Sequence, residues 1–282
     1  MEKVVYIAGQ FVPASEAKVS VFDRGFLFGD GVYEVIPVYQ GRLCFFEQHI
    51  KRLKSSLASA RIHEPQCNWR DIFNQLIAQN GSGNMQIYLQ VTRGWQENRS
   101  HDFPDNLIPT VVAFTLNMPY YTTIEKMRGL SAWLVEDIRW KRCDIKATSM
   151  LANVLLNDDA VSNGADTALL IRDGYLTEGS SSNVFIVNMN GEVQTPPING
   201  LCLPGVTRQL TIELVKSLNW PFKETKIDEH ALLSAKEVWI TSTTKEIYPV
   251  ATINGKSTGD IRKWNYWKII HEHYQQRIKN QQ

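Results

Sequence analysis

Residues 177–187 read TEGSSSNVFIV, and the chain continues through Val193-Gln194-Thr195 to LPGVTR at 203–208. Glu178 stands beside a glycine and three serines, immediately before a run rich in β-branched and aromatic residues. That is the pattern of a polar turn opening into a buried strand. Asn190-Gly191 then supplies a two-residue hairpin signal. Pro204-Gly205 leads into apolar residues at helical spacing from about Val206 to Asn219. Strands outnumber helices along the chain without strict β–α alternation, which predicts α+β rather than a doubly wound sheet.

The same reading extends in both directions. Towards the C-terminus the patterns predict strands over 236–241 and 246–253 and a long amphipathic helix from about Asp260. Between 130 and 172 they predict a strand over 130–138, a helix over 149–163 closed by Gly164, and a strand over 166–172. In the N-terminal third they predict a single strand over 3–12 and a hairpin over 31–45 turning at Gln40-Gly41. Pro37 inside that hairpin implies an edge or a bulge. Ile50, Leu53 and Leu57 predict a helix over 47–60, and an Asn68 cap starts another that ends before Gly81. Strands are expected over 84–93 and 109–117. The fold class is α+β. A domain boundary is expected in Met118–Gly129, giving an N-terminal α+β domain over 1–118, a linker over 119–128 and a C-terminal domain over 129–282.

Composition excludes several functions. With 30 Lys+Arg against 29 Asp+Glu, the formal charge of +1 gives no bulk attraction to nucleic acid or anionic lipid. No apolar run approaches the roughly 20 residues of a membrane span, and MEKVVYIAGQ lacks a secretory apolar segment. The expectation is a cytoplasmic protein. Cys44, Cys67, Cys143 and Cys202 are scattered without a CxxC pair, and His271 and His273 lie two apart in a helical stretch, so no metal site is expected. Gly25, Gly29 and Gly31 of GFLFGDG lack GxGxxG spacing, and no GxxxxGK[ST] occurs.

The run from Glu178 through Asn183, Phe185 and Thr195 to Leu203–Arg208 resembles the long signature of the class IV aminotransferases, the fold-type IV pyridoxal-phosphate enzymes. The resemblance extends through FDRGFLFGDGVYEV, QHIKRL, IYLQVTRG, VEDIRWKRCDIK and ITSTTKEI, so it spans almost the whole chain. Within the family it is greatest to the D-amino acid aminotransferases. It implies a small N-terminal α+β domain, a larger C-terminal cofactor-binding domain with a barrel-like sheet, and pyridoxal 5′-phosphate as cofactor.

Lys146, in RCDIKATSMLANVL, matches the Schiff-base lysine of the family. It lies between a strand and an apolar helix start, where a side chain can enter a cleft and lose its charge by desolvation. Glu178 matches the carboxylate that pairs with the pyridine nitrogen, keeping the ring an electron sink. Arg52 matches a phosphate-binding arginine, although alone it would read as one more cation of Lys51-Arg52-Lys54. Val206 and Thr207 open a helix whose free N–H groups favour a phosphate. Ser242 and Thr243, in TSTT, add hydroxyl and amide donors. Tyr33 shares a strand face with Val35, and the resemblance places it near the active centre.

The substrate is read from VTRGWQENRSHDFPDN, residues 91–106. Arg99 and His101 point the same way in an extended segment, and such a pair can grip a carboxylate through charge-assisted bonds. The matching R-x-H pair of the D-amino acid aminotransferases resembles a carboxylate trap supplied by the neighbouring subunit. The resemblance therefore implies a homodimer that exchanges an amino group between a D-amino acid and a 2-oxo acid, of the D-alanine/2-oxoglutarate kind, by a ping-pong route. An L-branched-chain aminotransferase or an aminodeoxychorismate lyase would share the cofactor residues but not this pair. A non-catalytic carrier of the same fold would not need both Lys146 and Glu178.

Overall fold

The computed structural model describes residues 2–117 and 120–281. The expected boundary at 118–119 lies outside the described residues. By the clustering of their Cα positions, residues up to Asn117 together with Ile145–Met150 form one compact unit. Tyr120–Asp144 together with Leu151–Gln281 form a second. The segment carrying Lys146 thus belongs to the first unit, whereas the expected division assigned it to the C-terminal domain.

The first unit runs β1 (Val4–Ile7), β2 (Gln10–Pro13), α1 (Arg24–Phe28), β3 (Gly31–Tyr39), β4 (Arg42–Leu43), α2 (Phe46–Ala60), α3 (Trp69–Asn80), β5 (Met85–Thr92) and β6 (Thr110–Leu116). Its strands form one antiparallel sheet in the order β2-β1-β6-β5-β3-β4. The single strand expected over 3–12 is instead a hairpin, because Ala8 and Gly9 both take positive φ (45° and 94°) and turn the chain. Gln40 and Gly41 turn the next hairpin as expected, with φ of 51° and 77°. Asn68 caps α3 by accepting from the Asp71 N–H. Leu53 and Leu57 of α2, with Phe73 and Leu76 of α3, bury against Ile36, Ile87, Leu89 and Val91 of the sheet. Each such side chain contributes about 1.5–3 kcal/mol when fully buried.

The period of β3 positions two chemically different rows. Val32, Glu34, Ile36 and Val38 are fully buried, while Tyr33 and Val35 on the opposite face are only half-buried. On one part of its free side β3 is lined by the Lys146 segment: Tyr33 N donates to Lys146 O at 3.0 Å and Thr148 N to Gly31 O at 2.9 Å. Farther along, only the two-residue β4 pairs with it, so Pro37 sits at an edge, as expected.

The second unit contains α4 (Thr123–Lys126), β7 (Leu130–Glu136), α5 (Leu151–Ser162), β8 (Thr167–Arg172), β9 (Tyr175–Gly179), β10 (Asn183–Val187), β11 (Val193–Thr195), α6 (Val206–Ser217), β12 (Phe222–Glu224), α7 (Glu229–Leu233), β13 (Glu237–Ser242), β14 (Glu246–Ile253), β15 (Lys256–Ser257) and α8 (Tyr266–Lys279). The short helix α4, opened by a Thr122/Glu125 capping box, occupies part of the stretch expected to be linker. The sheet order is β12-β11-β10-β13-β14-β7-β8-β9, with β15 on β14. Strands β9 and β10 stand five places apart in that order, yet three residues join them. Only a sheet curled towards closure permits this, and Glu178 lies at that junction. The C-terminal helix starts later than expected, because Asp260 caps a separate 3-10 turn over Ile261–Lys263. The true start of α8 is capped from β13, where Glu237 accepts from the N–H groups of Asn265, Tyr266 and Trp267 at 2.7–3.1 Å. Among the described residues no helix is long and apolar enough to cross a membrane.

Candidate active site

In the first unit the Lys146 ammonium lies 4.0 Å from the centre of the Tyr33 ring, a cation–π contact. Tyr33 stacks in turn on Tyr88, with centroids 5.8 Å apart, and Tyr88 on Phe114 at 4.9 Å. The Tyr33 hydroxyl reaches Met150 Sδ at 3.6 Å. Burial pushes the Tyr88 phenol up to about 12, so it serves as a neutral wall, bonded through its hydroxyl to Gln90 Oε1.

On the other face of β3, Glu34 sits in an otherwise apolar row and is held there by the Arg52 guanidinium and the His49 ring. Arg52 donates through Nε and Nη2 to its two oxygens at 2.7 and 2.8 Å, and His49 Nδ1 approaches at 2.8 Å. Burial alone would raise the Glu34 carboxyl, but the Arg52 charge and hydrogen bonds outweigh it and hold the group at about 2. Burial also lowers the His49 pKa. Sequence reasoning missed Glu34 and His49. The available signal was a carboxylate inside the alternating apolar row Val32-Glu34-Ile36-Val38, which demands a buried partner.

Arg99 and His101 are both exposed and lie against one ring. The Arg99 guanidinium is 4.8 Å from the Phe28 centroid, and the His101 ring is 5.4 Å from it. The structure thus brings the two together on one loop of the first unit.

In the second unit Glu178 is 5% exposed. It accepts from the backbone N–H of Leu203 at 2.9 Å and from Asn183 Nδ2 at 3.2 Å, and Arg139 Nη1 binds its other oxygen. Arg139 is shared: Nε and Nη2 grip Asp137 at 2.9 Å each, and Nη2 also donates to Leu201 O. Burial pushes the Glu178 carboxyl above its ordinary value despite Arg139. Asp137 resists the same burial effect because Arg139 holds it below the usual range. Asp137 and Arg139 were not singled out from the sequence. They lie about forty residues from Glu178, beyond the reach of any local pattern.

Asn183 joins the remaining candidates. Besides Glu178 it binds Leu203 O at 2.9 Å, and its strand pairs it with Thr241, next to Ser242. Leu203 leads directly into α6, which begins with the buried Val206 and Thr207. The N-cap there is Gly205 without a side-chain cap, and a Cβ at that position would lie 2.1 Å from Asn183 Oδ1. Ser242 accepts from Lys245 N at 3.1 Å, which fixes the turn that also carries Thr243. The buried hydroxyls of Ser182 and Thr241 have no hydrogen-bond partner among the described residues. A carboxylate aimed from a strand end, an uncapped helix start and spare hydroxyl donors form a set that fits a protonated pyridine bearing a phosphate. No group of metal-binding residues occurs among the described residues, and all four cysteines are free.

This architecture is that of a fold-type IV enzyme, and comparison with known proteins makes the family explicit. The family described as amino-transferase class IV matches residues 31–253. The chain is 38% identical over 257 residues to a D-alanine aminotransferase of Bacillus licheniformis, covering 90% of each chain. It is 37% identical over 287 residues to that of Staphylococcus aureus (strain COL), covering 99% of each. Among solved structures, a branched-chain aminotransferase from Thermoproteus uzoniensis with norvaline superposes with a TM-score of 0.89 at 24% identity, over 100% of this chain and 96% of that one. The branched-chain amino acid aminotransferase from Escherichia coli does so at 0.87 and 23%, with the same coverage. The chain belongs to the class IV aminotransferases. It is an aminotransferase, and its cofactor is pyridoxal 5′-phosphate.

Proposed function

We propose that the protein transfers the amino group of a D-amino acid to a 2-oxo acid, in a ping-pong cycle of the D-alanine/2-oxoglutarate kind, with Lys146 as the Schiff-base lysine. The observation that carries this reading is the exposed Arg99–His101 pair on one ring, a donor array suited to an α-carboxylate. The D-alanine aminotransferases at 37–38% identity support it.

Bound pyridoxal phosphate supplies the electron sink that lets the α-carbon give up its proton. Lys146, whose ammonium lies over the Tyr33 ring, would take that proton and return it. Glu178 keeps a proton on the ring nitrogen, with Arg139 fixing its position. Arg52 in the first unit would serve as a phosphate ligand, and in the second unit so would the amides of Val206 and Thr207 and the hydroxyls of Ser242 and Thr243. Arg99 and His101 bind the substrate carboxylate, serving the centre of a second copy in a homodimer, and the Tyr33 hydroxyl orients cofactor or substrate.

The test is a substrate panel on the purified holoenzyme: D-alanine, L-valine, aminodeoxychorismate and (R)-1-phenylethylamine, with a 2-oxo acid acceptor where one is needed. D-alanine is expected to react, and Lys146→Ala to abolish the reaction. Arg99→Ala should raise the KM for D-alanine without changing the visible spectrum of the bound cofactor. Turnover of L-valine with none of D-alanine would overturn the reading in favour of an L-branched-chain enzyme.

A further inference from the structure

Arg99 and His101 are long-reaching, exposed groups on a loop without helix or strand, and a donor pair of this kind binds well only if its spacing is fixed in advance. Two buried side chains fix the loop backbone: Gln96 donates from Nε2 to Ser100 O at 3.0 Å, and Arg24 makes the larger set of bonds. Arg24, 3% exposed, donates from Nη1 to Ser100 O at 2.7 Å and Asp102 O at 3.2 Å, and from Nη2 to His101 O at 3.4 Å. Its Nε is held by Asp30 at 2.8 Å. Asp30 is itself gripped by Arg93 at 2.7 and 2.9 Å, and Arg93 donates to Ala60 O and Arg61 O at the C-terminal end of α2. Phe103 stacks under Arg93 at 3.7 Å and closes the far end of the loop. From the same short helix as Arg24, the Phe28 ring meets both Arg99 and His101.

We propose that Arg24 and Phe28 are positioning residues, which hold Arg99 and His101 at the spacing that grips an α-carboxylate and so set the affinity for amino-acid substrates. This rests on the reading of Arg99 and His101 given above. Arg24 is itself no substrate ligand, because its donors are engaged with three main-chain carbonyls and Asp30. A guanidinium is required for this: its planar fork reaches three carbonyls and a carboxylate together, whereas a lysine ammonium is a single point. Phe28 gives Arg99 and His101 one aromatic ring to lie against, a contact that an aliphatic side chain would not provide.

The test uses full-length holoenzyme with Arg24→Lys, Phe28→Leu and Arg99→Ala. KM and kcat for D-alanine, cofactor affinity, and amide hydrogen exchange over residues 99–103 are measured in each. Arg24→Lys and Phe28→Leu are expected to raise KM about tenfold or more while kcat and cofactor affinity stay within about twofold. Arg24→Lys should also speed exchange over 99–103, a change that needs no substrate to detect. If both variants keep the wild-type KM while Arg99→Ala raises it, Arg99 binds the carboxylate but the positioning role is overturned. If Arg99→Ala also keeps the wild-type KM, the carboxylate reading falls and the proposal falls with it. Should Arg24→Lys fail to fold, Phe28→Leu decides alone.

Discussion

In the first unit Glu34 receives two donors of Arg52 and a third from His49. In the second, Arg139 gives two donors to Asp137 and only one to Glu178. Both carboxylates are buried. The Glu34 pKa is nevertheless held at about 2, while that of Glu178 is pushed above its ordinary value by burial. The charged donors differ: Glu34 takes two bonds from Arg52, whereas Glu178 takes one from Arg139 and the rest from neutral groups. Glu34 is saturated and acts as an anchor, which leaves its arginine as the candidate ligand. Glu178 is less fully compensated, and a second cation at its oxygen, such as a protonated ring nitrogen, would complete its surroundings. The same chemical pair is used in opposite senses, and the member that lacks full compensation is the one suited to meet the cofactor.

This contrast can be broken first at Glu178. Glu178→Gln removes the partner that keeps a nearby cation charged, an influence of roughly 1–3 pK units. Turnover should therefore fall on the order of 10–1000-fold, measured as kcat with D-alanine. Stability should change little, because Arg139 keeps both bonds to Asp137. At Glu34 the expectation reverses. Glu34→Ala removes the buried counter-charge of Arg52 and should cost about 3–5 kcal/mol of stability in a denaturant titration. Equal destabilisation by both substitutions would erase the distinction.

The pH dependence sharpens the contrast. The Glu34 pKa is lowered on folding, from 4.5 to about 2. Its stabilisation is complete above about 4.5 and is lost as pH falls through about 2, on the order of 3 kcal/mol in all. The Glu178 pKa is raised, so its contribution favours the folded state below the ordinary carboxylate range and is lost as pH rises. Unfolding titrations across pH 2–6 should therefore shift less with pH in Glu34→Gln than in wild type. The smallest effect is expected from Asp137→Asn. Arg139, no longer held by a charged Asp137, would serve Glu178 more fully and lower its pKa. The pH titration of the bound cofactor's absorbance would register this as a shift.

Much of the scaffold is legible locally. The spacing of Ile50, Leu53 and Leu57, the Asn68 cap and the Gln40-Gly41 turn all encode their elements within a few residues. Two elements depend on contacts that no window contains. Ala8-Gly9 turns the first hairpin with an alanine at positive φ, and the start of α8 is fixed by Glu237, almost thirty residues earlier. The candidate site divides in the same way. Lys146, Glu178 and Arg52 are legible from their motifs, whereas the pairing of Glu178 with Arg139, of Arg52 with Glu34, and of the 99–102 loop with Arg24 joins residues 18 to 78 apart in sequence. Local patterns report what a segment becomes, but buried charge pairs depend on what meets it.

The most direct test of the account is a half-reaction. Holoenzyme is mixed with excess D-alanine and no acceptor, and the 2-oxo acid released is counted against active centres. The account predicts about one equivalent of pyruvate per centre, with the amino group retained on the enzyme until an acceptor is added. No pyruvate from D-alanine, with a stoichiometric yield of the corresponding 2-oxo acid from L-valine, would contradict it.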